Sequence, residues 1–238
     1  MTAFSKLQGA FQAVEHKFMA SPPIQRLRRG DVTLAHYASY LRETYFYTRE
    51  DPQIQALCTA WFRGSDRELV KPFLQQATSE IGHDQLALDD LRSLGFDTDA
   101  ISRENPLPLT TALISFPFYA IQYRWPISYL GYLYFLEFLP TSRGADIAAA
   151  LSSIGVPAES MSFLHEHRTV DVHHNRLMER YANEMVRTEG DLAEVTYAME
   201  VTGRLFEGML AGAFEAADHG LFRSDDSHPT AIVLEAAT

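Results

Sequence analysis

Cysteine is almost missing from this chain: Cys58 is the only one in 238 residues. That excludes a disulfide framework and a thiolate metal cage. Basic residues are in deficit, 20 Lys and Arg against 31 Asp and Glu, for a net charge of −11. Such a balance argues against a nucleic-acid partner or an anionic membrane surface. No clean apolar run of about 20 residues occurs. The greasiest region, 107–140, is broken by Pro117 and Pro126 and carries Gln122, Arg124 and several tyrosines, so no membrane span is expected. The opening "MTAFSKLQGAFQAVEHKF" has no charged-then-apolar layout and reads as an amphipathic helix. A reducing cytoplasm is the expected compartment. Alternating strand patterns are lacking as well.

What is present is helical periodicity. It predicts helices near 4–20, 32–49, 51–63, 67–94, 107–123, 126–139, 142–154, 157–184 and 189–218, joined by short connections as in an all-α bundle. Pro22-Pro23 and Gly95 read as punctuation, Pro126 as a helix start and Pro140 as a helix end. One domain over 1–220 follows, with a loosely held tail over 221–238, where the pattern is lost.

Four segments carry acids or histidines on predicted inner faces. In "HEHRTVDVHH", His167, Asp171 and His174 fall at i, i+4 and i+7, on one face with Leu164, Met178 and Tyr181. In "TSEIGHDQLALDDL", Glu80 and His83 are three apart, on a face with Phe73, Ala77 and Ala87; Asp84 and Asp90 are alternatives to His83. In "HYASYLRETYFYT", an exposed stripe of Ala35, Ser39, Arg42, Phe46 and Arg49 leaves Glu43 inward beside His36, Tyr40 and Tyr47. In "YLGYLYFLEFLP", Glu137 is the lone acid on the face of Leu130, Leu133 and Tyr134. Burying an unpaired carboxylate costs several kcal/mol, so Glu137 needs either Arg124 or a metal.

Glu43, Glu80, His83, Glu137, His167, Asp171 and His174 make four carboxylates and three imidazoles. Nitrogen and oxygen donors in that ratio suit two iron ions with positions left for dioxygen and substrate. Glu137 is the expected bridging or shared carboxylate.

On "YLRETYFYT", "EIGHDQLALDDL", "LGYLYFLE" and "HRTVDVHH", the chain resembles the haem-oxygenase-like dimetal oxidases, relatives of the TENA/thiaminase-type helical proteins, across most of 30–215. The resemblance implies a bundle of seven or more helices, two Fe(II) ions and O2 as co-substrate. It also implies oxidation of a small organic substrate, an amino-acid-like or fatty-acid-like carboxylate. The substrate would lie in a cavity roofed by 116–135, with Tyr47 and Tyr134 on its wall. Arg124 would anchor the substrate carboxylate or, failing that, lie exposed beside Trp125 or make a salt bridge elsewhere. A homodimer is compatible with such a bundle.

Three rival readings stand beside this one. A metal-free thiaminase-like hydrolase would use Cys58 as nucleophile. A haem oxygenase would use His16 as proximal ligand. A non-enzymatic helical metal-binding or interaction protein would need only the acids.

Overall fold

The computed structural model describes residues 2–220, apart from the side chains of residues 168–173. The predicted tail and the Asp171 side chain therefore lie outside the described residues. The helices run in the order α1 (Ala3–Met19), α2 (Pro22–Arg29), α3 (Leu34–Thr48), α4 (Asp51–Thr59), α5 (Val70–Ser79) and α6 (His83–Ser93). They continue as α7 (Thr98–Ile101), α8 (Pro108–Tyr119), α9 (Tyr129–Ser153), α10 (Ser162–Met185) and α11 (Glu189–Asp218). No strand occurs among the described residues, and none of their helices is long and apolar enough to cross a membrane.

Local chemistry sets most boundaries. Thr2 caps α1 by accepting the Ser5 amide, and Thr188 with Asp191 forms a reciprocal capping box at α11. Proline sits in the first turn of α2, α4 and α8, where its missing N–H costs nothing. Pro22-Pro23 thus starts a helix instead of merely breaking the chain. Pro140 does not end a helix either: α9 runs through it as one 25-residue element. A proline there removes one intrahelical hydrogen bond, but α9 packs against both α10 and α11 along its length, and that packing holds it together.

The core centres on α9. Phe135 meets Phe11, Phe18 and Phe206 through edge contacts with ring centroids 5.8–6.4 Å apart. Each such buried ring contributes roughly 1.5–3 kcal/mol by leaving water. Gly131 lets α9 approach α11 closely: a Cβ there would collide with the Val195 carbonyl and lie 2.7 Å from the Met199 amide nitrogen.

The predicted exposed stripe of α3 is wrong. Ser39, Arg42 and Phe46 are all buried, and Arg42 is only 1 % exposed. Helix α3 packs against α6, α8 and α11, so it has almost no solvent face, and its arginine is neutralised inside the protein.

Candidate metal centre

The predicted helix 67–94 is broken where it matters. Helix α5 is capped by Glu80, Gly82 adopts φ +99°, and His83 is the first residue of α6. A positive φ of that size belongs to glycine, so "EIGH" is a corner with Glu80 on one arm and His83 on the other.

Around this corner two donor groups form. Glu80, His83 and His167 make one; Glu80, Glu137 and His174 make the other; within each, donor atoms lie within 4.8 Å of one another. Glu80, not Glu137, belongs to both and so occupies the shared position. Oε2 of Glu80 lies 2.7 Å from Nδ1 of His83, and Oε1 lies 3.7 Å from Nδ1 of His174. Glu137 Oε2 is 2.9 Å from that same His174 nitrogen. Its Oε1 accepts the Gln76 side-chain amide at 2.7 Å, and Gln76 is held in turn by Gln55 at 3.0 Å. His167 donates Nδ1–H to the Phe163 carbonyl at 2.7 Å, because only a protonated nitrogen can pair with a carbonyl oxygen. Its Nε2 lone pair is then left to bind, the usual orientation of a metal-ligating imidazole.

The electrostatics agree with a shared acid. Burial pushes the Glu80 carboxyl up, but the imidazoles of His83, His174 and His167 outweigh it and hold Glu80 below the ordinary range. The Glu80 carboxylate raises His83, whereas burial lowers His167 toward its neutral form.

The residues present fit an iron ion. They are carboxylate oxygens and imidazole nitrogens from the end of α5 and from α6, α9 and α10, with no thiolate. Nδ1 of His83 is buried beside Oε2 of Glu80 without the alignment a hydrogen bond needs. A buried nitrogen left without a hydrogen-bond partner beside a carboxylate is what a cation would complete.

One acid was missed. Asp51, the first residue of α4, lines the same cavity as Glu80 and Glu137 and accepts the Tyr132 hydroxyl at 2.9 Å. Burial raises its carboxyl far above the ordinary range, with Glu80 and Glu137 adding to the effect. Its spacing held the signal: Tyr40, Tyr47 and Asp51 fall at i, i+7 and i+11, continuing the inner stripe of α3 past its end.

Glu43 is a correction. It is fully buried, but on the edge of α3 that faces α8, away from the donor groups. Its carboxylate is paired with Arg42, accepts the Leu107 amide at 2.9 Å and takes a hydrogen bond from Thr110. Arg42 also binds Glu104 at 2.8 Å and the Asn105 carbonyl at 2.7 Å. This is an ion-pair network that pins the α7–α8 connection, and it leaves Glu43 no free oxygen for a metal.

Arg124 is also corrected. Its guanidinium lies on the surface, bidentate to Glu194 at 2.9–3.0 Å and stacked on Tyr197, and it does not line the cavity. Nor does Tyr134, which packs against Phe4, Phe11 and Phe138 on the α1 side. Tyr47 does line it. Of the predicted roof, Tyr129, Tyr132 and Leu133 reach the cavity, while Tyr119, Tyr123 and Trp125 are exposed.

The alternatives to His83 are placed elsewhere. Asp84 meets Gln85, and Asp90 caps α10 by accepting the Ser162 and Phe163 amides at 2.8 and 3.0 Å. His16 is exposed on α1, away from the cavity. Cys58 is buried with its thiol pushed up by desolvation, the opposite of an activated nucleophile.

The cavity holds about 120 Å³, far more than the ~10–15 Å³ one water requires. Asp51, Glu80, Glu137 and His167 share its wall with Phe18, Ile24, Leu27, Leu139, Ile147, Leu151 and other apolar side chains.

Comparison with known proteins agrees with this fold. A domain of unknown function with a heme oxygenase-like fold from Shewanella denitrificans OS217 superposes with a TM-score of 0.82 at 27% identity, covering 90% of this chain and 93% of that one. A TenA homologue from P. horikoshii OT3 gives 0.74 at 10% identity, covering 90% and 99%. A TenA homologue from Pseudomonas syringae pv. tomato DC3000 gives 0.74 at 12%, covering 89% and 92%. The fold is therefore the haem-oxygenase-like, TenA-like helical bundle. A search of curated proteins finds no match. The family model of iron-containing redox enzymes matches residues 38–206, from α3 into α11, and the chain belongs to that family.

Proposed function

We propose that this protein is a non-haem iron oxidase or oxygenase that uses O2 to oxidise a small organic substrate. The observation that carries the reading is the pair of donor groups sharing Glu80 at the wall of an apolar cavity. Glu80, His83 and His167 would hold one ion; Glu80, Glu137 and His174 the second, with Asp171 and Asp51 as further carboxylates. Bound iron supplies the electrons that dioxygen needs.

The protein's own groups do the rest. The Phe163 carbonyl fixes the His167 ring, and the Gln55–Gln76 pair fixes Glu137. Tyr132 orients Asp51. Leucine, isoleucine and aromatic side chains keep water out of the cavity and raise the strength of every charge interaction inside it.

Anaerobic titration with Fe(II), followed by O2 uptake measurements with fatty and amino acids, tests this reading. Two irons per chain and substrate-dependent O2 consumption are expected. A protein that takes up no iron would end the proposal.

A further inference from the structure

Residues 105–123 carry no charge at all, in a chain whose net charge is −11. Helix α8 occupies most of that stretch. A helix with no charged side to turn toward water belongs in a core, yet α8 is not enclosed. It runs antiparallel along the outer side of α11: Leu107 packs at Gly212, Leu109 at Gly208 and Trp125 at Gly190. Another side of α11 is taken by α9, through Gly131 at Val195 and Phe135 at Gly203. One face of α8 therefore rests on α11 and α3, and the other is open to solvent.

The open face is aromatic. Leu109, Tyr119, Tyr123 and Trp125 are 45–77 % exposed, and Tyr197 of α11 is 45 % exposed. The Tyr119 and Tyr123 rings stack with centroids 6.2 Å apart. Arg124, the first charge after the neutral stretch, lies on the Tyr197 ring and is balanced by Glu194. With about 150–250 Å² for each whole aromatic side chain, the exposed parts of these five residues present roughly 500 Å². That is at the upper part of the range for a patch on a monomer. Two copies meeting there would bury about 1,000 Å², the least that a specific interface needs.

Charge and shape both select a second copy as the occupant. Two chains of the same strong negative charge repel one another over most of their surfaces, and approach costs least through a neutral face. The outermost stripe of α8 is Thr111, Ser115 and Tyr119, at i, i+4 and i+8. It is small at its start and centre and large at its end. Two α8 helices crossing antiparallel at Ser115 set Tyr119 of each copy into the gap over Thr111 of the other, as i±4 ridges do in the commonest helix packing. The face is also fixed in advance. Glu43 accepts the Leu107 amide and the Thr110 hydroxyl, which pins the start of α8, so little ordering is left to be done on association.

We infer that the protein is a twofold-symmetric homodimer closed by the open face of α8 and the turn that follows it, with the axis beside Ser115. The donor residues of the metal centre stand on other helices, so the pairing holds with or without iron.

Sedimentation velocity on the full-length protein over a concentration series tests it. The wild type is expected at twice the 26.9 kDa mass of the chain. Ser115→Glu brings two like charges together at the axis and should raise the dimer Kd about tenfold or more. Ser115 is exposed in the single chain, so the circular dichroism and Tm of this variant should match the wild type. Ser115→Cys reads the contact itself. The sole native cysteine, Cys58, is buried, so mild oxidation should give a covalent dimer joined at residue 115. A dimer that survives Ser115→Glu, or that forms no crosslink at 115, would place the interface elsewhere and overturn the inference. A wild-type chain that stays monomeric would overturn it too, and its sedimentation with phosphatidylcholine vesicles would give the aromatic face to a lipid surface instead.

Discussion

Glu80 faces His83 with one carboxylate oxygen at 2.7 Å while its other oxygen looks toward His174 at 3.7 Å. A single acid thus links the α6 and α10 imidazoles, and its loss should be felt on both sides. Glu80→Gln keeps the size of the side chain and removes the charge. Anaerobic Fe(II) titration should show both equivalents weakened, whereas Gln76→Leu, which only frees Glu137, should lower affinity about 10–100-fold. Retention of one tight equivalent in Glu80→Gln would show that the two sets of donors do not share it.

Glu43 makes a contrasting prediction. Glu43→Gln leaves Arg42 buried with only Glu104 as counter-charge, and breaking a buried pair costs about 3–5 kcal/mol. Urea denaturation should show that loss, while iron stoichiometry stays at the wild-type value. A variant that is stable but iron-free would return Glu43 to the metal.

The pH dependence of stability should carry the signature of Asp218. Hydrogen bonds from Arg26 and His36 hold its carboxyl far below the ordinary Asp range. A depressed folded-state pKa stabilises above the unfolded value of about 3.9, and that stabilisation is lost as pH falls toward the folded value. Denaturation from pH 7 to pH 2 should give a wild-type advantage over Asp218→Asn that is flat above about pH 5 and shrinks below pH 4. Because Asp218 is partly exposed, added salt should reduce it.

Gly131→Ala tests the closest approach in the core. The added methyl would meet the backbone of α11 at Val195 and Met199, and backbone cannot swing aside as a side chain does. Overpacking of this kind costs about 1–3 kcal/mol or more, measurable as a lower Tm. No change in Tm would mean that α9 and α11 can separate freely.

Much of this was legible in the sequence. The 3.6-residue period located the long helices, and the face shared by His167 and His174 placed both imidazoles on α10 at the donor cluster. Glu137 likewise needed a partner, and it has His174 and Gln76. What failed were judgements that depend on neighbouring elements. Arg42 looked like a solvent marker because arginine usually is one, yet α6, α8 and α11 enclose it. Glu43 lies on α3 and Asp51 opens α4, and only the packing of neighbouring helices decides which acid faces the cavity. Arg124 was a candidate substrate anchor as the only cation in its run, yet its guanidinium reaches Glu194 on α11; α2 is a helix absent from the periodicity reading.

The corner at Gly82 has a consequence for anyone who would transplant this centre. On an unbroken helix, Glu-x-x-His fixes its two side chains one turn apart and pointing the same way. Here the pair hangs from two helices meeting at a glycine with φ +99°, so the motif is an angle rather than a stripe. Copying the four letters onto a straight scaffold would preserve the spelling and lose the site; the glycine and the directions of α5 and α6 must travel with it.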